Sequence, residues 1–327
     1  MILVGAATLV VSALTSAAVL PFLRRVGVVD RPVARSSHVT PTPRGGGLAV
    51  AIALLVGFGI SWSIGVSVSW TAPVLVVAFG ALGFADDLGG LTVGIRLAVQ
   101  TLVAAFIGYA VLAEANSLSV ILICALGFWI VGYTNIFNFM DGVNGISGLN
   151  AALAGLWYAY IGNVVAASDL TMFGVVLAGA SLGFLPWNAP HARMFLGDVG
   201  SYSLGAAVAL LASLALLAGA TISLAIAPLC IYIADTSWTL ARRIARSQSW
   251  REAHRDHVYQ WLADRFGHLG AAITTVGFAA TCGALALLLA DLPALVPLAG
   301  FAVVASSYLG LPRLLGGSQR VREDSHG

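Results

Sequence analysis

Residues 70–91 read WTAPVLVVAFGALGFADDLGGL. An apolar run over 70–85 stops abruptly on two adjacent carboxylates, Asp86 and Asp87, followed by Gly89 and Gly90. The run approaches the length needed to cross a bilayer, roughly 20 residues when untilted. A carboxylate pair at the edge of such a segment is costly and usually functional. Asp at a helix C-terminus also opposes the macrodipole instead of complementing it. The stretch predicts a membrane-crossing helix that carries chemistry at one end. A solvated helix end without a role is the plainer alternative.

Working outward, comparable apolar runs occur at 2–23, 45–64, 95–113, 118–134, 148–166, 170–187, 199–218, 222–240, 269–290 and 292–312. With 70–85 they give about eleven spans, some of them short or tilted. Of the 327 residues 59% are hydrophobic and only 9% charged, against roughly 25% charged in soluble domains. Mean hydropathy is +0.93. The expected fold is all-α, a polytopic transmembrane bundle. Residues 1–312 form a single integral domain, and 313–327 form a short tail. No internal repeat or low-complexity linker divides the chain.

Charge placement sets the topology. Lysine is absent, and all sixteen basic residues are arginine. With the N-terminus outside, every arginine falls in the inside segments: 24–44, 86–96, 135–147, 188–198, 241–268 and the tail. The positive-inside rule then makes that face cytoplasmic and puts the C-terminus inside. The first run lacks a basic region in front and has Arg24 and Arg25 behind it, which suits a retained span instead of a cleaved signal. Glu114, Asp169 and Asp291 lie in outer turns, and the remaining acids lie on or near the inner side. Cys124, Cys230 and Cys282 each sit in a different apolar run, so neither a disulfide nor a zinc site is expected.

Four further polar segments interrupt the apolar pattern. Residues 135–148, NIFNFMDGVNGISG, place Asn135, Asn138, Asp141 and Asn144 among glycines. That composition suits a loop that approaches a polar ligand closely, although Asp-Gly and Asn-Gly are also ordinary turn formers. Residues 188–201, NAPHARMFLGDVGS, begin with Asn188 and put Asp198 between glycines at the mouth of a helix. Asp198 with Asp86 or Asp87 could supply part of a magnesium site, or Asp198 could simply cap the helix.

Residues 254–260, HRDHVYQ, space His254, His257 and Gln260 three apart, near one helical face that could meet a phosphate. A solvated amphipathic helix is equally consistent, and the pair lacks the HExxH order of a zinc site. The first inner loop, 29–47, is rich in arginine, proline and glycine and ends near Arg44. Its arginines suit bidentate phosphate recognition or simply topology and anionic-lipid attraction. No DNA- or RNA-binding motif occurs, and no nucleic-acid partner is expected.

Taken in order over residues 24 to 265, these segments resemble the polyprenyl-phosphate N-acetylhexosamine-1-phosphate transferase family, which includes phospho-MurNAc-pentapeptide translocase and the enzymes that initiate O-antigen. The resemblance implies transfer of a sugar 1-phosphate from a UDP-sugar to undecaprenyl phosphate with release of UMP. It implies Mg²⁺, with Mn²⁺ as a substitute, and a site on the cytoplasmic face of the bacterial inner membrane. By resemblance Asp86 and Asp87 match the paired aspartates and Asp198 the magnesium aspartate. Asn135, Asn138 and Asp141 match the nucleotide-sugar loop, with Asn144, Asn188, Arg44 and Gln260 as further substrate contacts. His254 and His257 match the histidine motif and, with the paired aspartates, are the candidate catalytic groups.

The chain departs from the GlcNAc-1-phosphate transferases in having Asn144 where an Asp-Gly-x-Asp-Gly pattern would place aspartate, and Gln260 where histidines cluster. Both departures look like the branch handling 6-deoxy sugars such as N-acetylfucosamine or N-acetylquinovosamine. A GlcNAc-1-phosphate transferase and an ion-coupled lipid transporter remain the alternatives. The sequence leaves the oligomeric state open, a homodimer included.

Overall fold

The computed structural model describes residues 1–30, 41–248 and 255–316. Eleven helical elements correspond to the eleven apolar runs. They are α1 Ile2–Val26, α2 Gly47–Ser63, α3 Thr71–Gly89, α4 Val93–Glu114, α5 Val120–Met140 and α6 Ile146–Val164. These are followed by α7 Ser168–Asn188, α8 Gly197–Leu217, α9 Ile222–Ala245, α10 Val258–Leu288 and α11 Leu295–Leu314. Among the described residues nine of these helices are long and apolar enough to cross a membrane, and α2 is a shorter apolar helix. The chain is a multi-pass membrane protein. A single antiparallel pair, β1 Val29–Asp30 with β2 Thr42–Pro43, is the sheet content described.

Helix α8 is the centre of the bundle. Its residues from Val199 to Ser213 are buried, and α3 and α5 pack along it. Because lipid tails are as apolar as Leu, helices in a bilayer associate through close packing and small residues. Gly83 of α3 faces the Asp198 carbonyl so closely that a Cβ there would overlap it, and Gly47 of α2 meets the Gly200 backbone in the same way. These contacts bring the ends of α2, α3 and α8 together.

Several helices run past the apolar limits read from the sequence. Helix α5 continues to Met140, so Asn135 and Asn138 are helical and the loop begins only at Asp141. Helix α10 starts at Val258 and not near 269, because an amphipathic stretch precedes the apolar one. Gly267, at φ 73°, bends the chain between the two. Helix α9 is broken by a 3₁₀ turn at Ala227–Leu229, where Pro228 cannot donate to an α-helical ladder.

Candidate active site

The helix ends bring five of the candidate polar residues into one cluster. Asp86 and Asp87 come from the last turn of α3, Asn138 and Asp141 from the end of α5, and Asp198 from the first turn of α8. Each aspartate is held differently.

Asp86 is 3% exposed. Its Oδ1 accepts the Leu91 N–H at 2.7 Å, a bond made possible by the left-handed turn at Gly90. Its Oδ2 accepts from Arg96 Nη1 at 3.0 Å and from the Tyr202 hydroxyl at 2.9 Å. Arg96 also donates to the Tyr202 oxygen at 3.2 Å, closing a triangle across α3, α4 and α8. A carboxylate engaged on both oxygens is a positioning group for that guanidinium.

Asp87 caps a helix that is not its own. Its Oδ1 accepts the Asp198 N–H and its Oδ2 the Val199 N–H, both at 3.1 Å. An anion at a helix N-terminus satisfies orphan donors and complements the macrodipole. Arg44 Nε joins Oδ1 at 3.0 Å, and its Nη2 donates to the Asp87 carbonyl at 3.3 Å. Arg44 is held there by a backbone zipper in which Phe195 N–H donates to the Pro43 carbonyl, while Gly46 and Gly47 donate to Phe195 and Leu196.

This arrangement decides how Asp198 is used. It lies inside the first turn of α8 instead of capping it, since Asp87 performs the capping. Its Oδ1 accepts from Asn138 Nδ2 at 2.8 Å, and the same amide donates to Ser201 Oγ at 2.8 Å. Among the described residues Oδ2 of Asp198 takes no hydrogen bond. Asp141, just past α5, is pushed up to about 7, chiefly by burial and then by the charges of Asp198 and Asp87, with the Ser147 hydroxyl opposing. The charges of Asp198 and Asp87 therefore both act on Asp141.

Asn144 and Asn188 border the cluster. The Gly145 N–H donates to Asn188 Oδ1 at 2.6 Å, and Asn188 Nδ2 reaches the Met194 carbonyl at 3.2 Å, so Asn188 ties two loops together. Asn144 Nδ2 donates to the Pro190 carbonyl at 3.1 Å, and its backbone N–H donates to His268 Nδ1 at 3.1 Å. Asn135 is placed apart, donating to Gln100 Oε1 and to the Val131 carbonyl, both at 2.8 Å.

The histidine segment joins a second cluster. His254 lies outside the described residues. His257 is 4% exposed and pairs through Nδ1 with Asp235 at 3.1 Å. Gln260 Oε1 accepts the His257 N–H at 3.3 Å. Asp235, wholly buried in α9, also accepts the N–H groups of Val258 and Tyr259 at 3.1 Å and the Tyr308 hydroxyl at 2.9 Å. The sequence reading passed over Asp235, Arg96, Tyr202 and His268. An acid inside an otherwise apolar span was the available signal for Asp235. The two clusters meet at Tyr259, whose hydroxyl donates to the Phe139 carbonyl at 3.0 Å.

Among the described residues no group of three His, Cys, Asp or Glu side chains forms a ready-made metal cage. The donor set nevertheless fits Mg²⁺, which is commonly held by one or two carboxylates with substrate phosphates and waters completing the shell. Asp198 and Asp141 are the carboxylates that fit this use, because Asp86 and Asp87 are engaged on both oxygens.

A multi-pass helical bundle with acids, amides and guanidiniums gathered at the ends of its helices places the chain in the class of integral membrane proteins. Residues 69–235 match the sequence profile of Glycosyl transferase family 4, and the chain belongs to that family. The matched region runs from α3 to Asp235 and includes every aspartate of the first cluster.

Three relatives are similar in sequence. A Bacillus subtilis protein named probable undecaprenyl-phosphate N-acetylglucosaminyl 1-phosphate transferase is 29% identical, over 77% of this chain and 75% of its own length. A Thermotoga maritima undecaprenyl-phosphate alpha-N-acetylglucosaminyl 1-phosphate transferase is 31% identical, over 57% of this chain and 56% of its own. A Streptococcus mutans phospho-N-acetylmuramoyl-pentapeptide-transferase is 31% identical, over 52% of this chain and 57% of its own. The chain thus spans three-quarters of the first relative and little more than half of the other two.

Proposed function

We propose that the chain transfers an N-acetylhexosamine 1-phosphate from a UDP-sugar to undecaprenyl phosphate, releasing UMP, at the cytoplasmic face of a bacterial inner membrane. The observation that carries this reading is the convergence of Asp198, Asp141 and Asp87 with Asn138 and Arg44, in a chain whose relatives are named as sugar-1-phosphate transferases. Such a product opens a lipid-linked surface glycan such as O-antigen.

The acceptor is a phosphate monoester with a second pKa near 6, so it is largely dianionic at neutral pH and needs no strong base. The harder task is bringing two anions together, which is a problem of positioning and electrostatics. Arg96, fixed by Asp86 and Tyr202, and Arg44, fixed by Asp87, hold guanidiniums beside the paired aspartates. Asn138 orients the Asp198 carboxylate. Bound Mg²⁺, held by Asp198 and Asp141, would supply charge neutralisation at the donor pyrophosphate.

The favoured sugar is a 6-deoxy-HexNAc such as FucNAc or QuiNAc, on the grounds of Asn144 and Gln260. A GlcNAc donor is the alternative within the family. An ion-coupled transporter is disfavoured because such proteins keep ion-binding charges near the midplane on broken helices, whereas Asp86, Asp87, Asp141 and Asp198 lie at helix ends and Asp235, in the broken α9, is engaged by His257, Tyr308 and the α10 backbone. Purified protein incubated with undecaprenyl phosphate and a panel of radiolabelled UDP-sugars tests the reading. A lipid-linked product is expected, and its absence across the panel, UDP-GlcNAc included, would overturn it.

A further inference from the structure

Away from the carboxylate cluster, the ends of α9 and α11 enclose a cavity of about 290 Å³ lined by Trp238, Arg242, Ser306, Leu309, Pro312 and Arg313. It combines three properties. Arg242 and Arg313 bring two guanidiniums to it from different helices. Trp238, 45% exposed, is the residue type enriched where a bilayer meets water. Leu309 and Pro312 make its wall apolar. Both helices end here in arginine-bearing turns, at the face where the described arginines gather.

We propose that this cavity binds the phosphate headgroup of an anionic bilayer phospholipid, with the upper acyl chain against Leu309 and Trp238. A guanidinium presents planar, paired donors that match phosphate oxygens. The carbonyl ends of two helices disfavour an anion, so guanidinium contact must carry recognition. Arg242 is partly committed, since its Nη2 donates to the Asp256 carbonyl at 2.7 Å. Asp256 also pairs with Arg243 at 2.6 Å, so its charge is shared between two guanidiniums, while Arg246 and Arg313 add like charge near Arg242. A bound phosphate would offset that like charge. A freely soluble anion would find one wall of the cavity apolar and at membrane level, whereas a lipid satisfies both walls. This site is independent of the transferase reading, because its residues do not join the carboxylate cluster.

The test is quenching of Trp238 fluorescence in vesicles by acyl-brominated lipid. Full-length protein is reconstituted in phosphatidylcholine containing a minor fraction of brominated phosphatidylglycerol, or of brominated phosphatidylcholine at the same level. The Trp238 component is the difference between wild type and Trp238→Phe. Phosphatidylglycerol is expected to quench this component beyond its mole fraction, and Arg313→Gln is expected to reduce the enrichment about fivefold. The double variant Arg242→Gln/Arg313→Gln should abolish it, and if that protein does not fold, Arg313→Gln alone decides. Equal quenching by the two lipids would overturn the proposal, as would enrichment that survives Arg313→Gln. Loss of the enrichment on adding millimolar inorganic phosphate at constant ionic strength would also overturn it, in favour of a soluble-anion site.

Discussion

The Asp87 carboxylate accepts the backbone N–H of Asp198 at 3.1 Å. One aspartate of the cluster therefore caps the helix that presents another, although four whole helices, α4 to α7, separate acceptor and donor in sequence. Two residues that look like equivalent metal ligands in the sequence divide the work: Asp87 builds the helix end, and Asp198 projects from it.

Asp87→Asn tests that division. The amide keeps the shape but can accept through one oxygen, so it opposes an N–H to Val199 or to Arg44. Breaking a buried charge pair costs several kcal/mol, and discounting for the 36% exposure of the Arg44 side chain leaves about 1–3 kcal/mol. A lower thermal midpoint in detergent is expected together with a loss of turnover on the order of 100-fold. Asp198→Asn should abolish turnover across a Mg²⁺ titration while leaving the midpoint nearly unchanged. If the two variants behave alike in both assays, the assignment of separate roles is wrong.

The raised pKa of Asp141 sets a pH dependence. Its folded-state value of about 7 lies above its ordinary value of 3.8, so the native state binds this proton more tightly than the unfolded chain does. The corresponding stabilisation is complete below pH 3.8 and is lost as pH rises through 7. A divalent cation competes for the same carboxylate, so apparent Mg²⁺ affinity should rise from pH 6 to pH 8. Asp141→Asn should flatten both trends. The check is the Mg²⁺ concentration for half-maximal turnover, or for half-maximal thermal shift, across that pH range.

Asn144→Asp addresses the sugar. Asn144 Nδ2 donates to the Pro190 carbonyl at 3.1 Å, and a carboxylate there would face that oxygen as a second acceptor. Release of the loop and a shift of donor preference toward UDP-GlcNAc are expected, read as the ratio of kcat/KM for the two donors. An unchanged ratio would remove Asn144 from sugar selection.

The eleven helices were legible because a bilayer demands apolar runs of a fixed length, and every run became a helix. Their ends were less legible. Asn135 and Asn138 interrupt the end of α5 and an amphipathic stretch opens α10, so the continuous apolar run stops before the helix does. Asp86, Asp87, Asp141 and Asp198 stood out as acids at the ends of apolar runs. Arg96 and Tyr202 did not, since their meaning depends on meeting Asp86 across helices far apart in sequence. His257 shows the converse: its spacing suggested a phosphate-facing surface, and the fold pairs it with Asp235 at 4% exposure.

A chain of hydrogen bonds links Asp235 to the first cluster. The Asp235 oxygens hold the first N–H groups of α10, and this sets Tyr259, whose hydroxyl holds the Phe139 carbonyl between Asn138 and Asp141. Tyr259→Phe removes only that last bond, worth about 1 kcal/mol. It is expected to raise the donor KM several-fold with little change in thermal midpoint, because the phenyl ring still fills its place. Asp235→Asn leaves buried N–H groups competing for a single acceptor oxygen, at about 1–3 kcal/mol, and should lower both the midpoint and turnover. Were Asp235 a purely structural anchor, Tyr259→Phe would leave the donor KM at its wild-type value while Asp235→Asn still destabilised the chain. Steady-state kinetics and thermal denaturation of the two variants side by side therefore distinguish positioning of the donor loop from simple anchoring of α10.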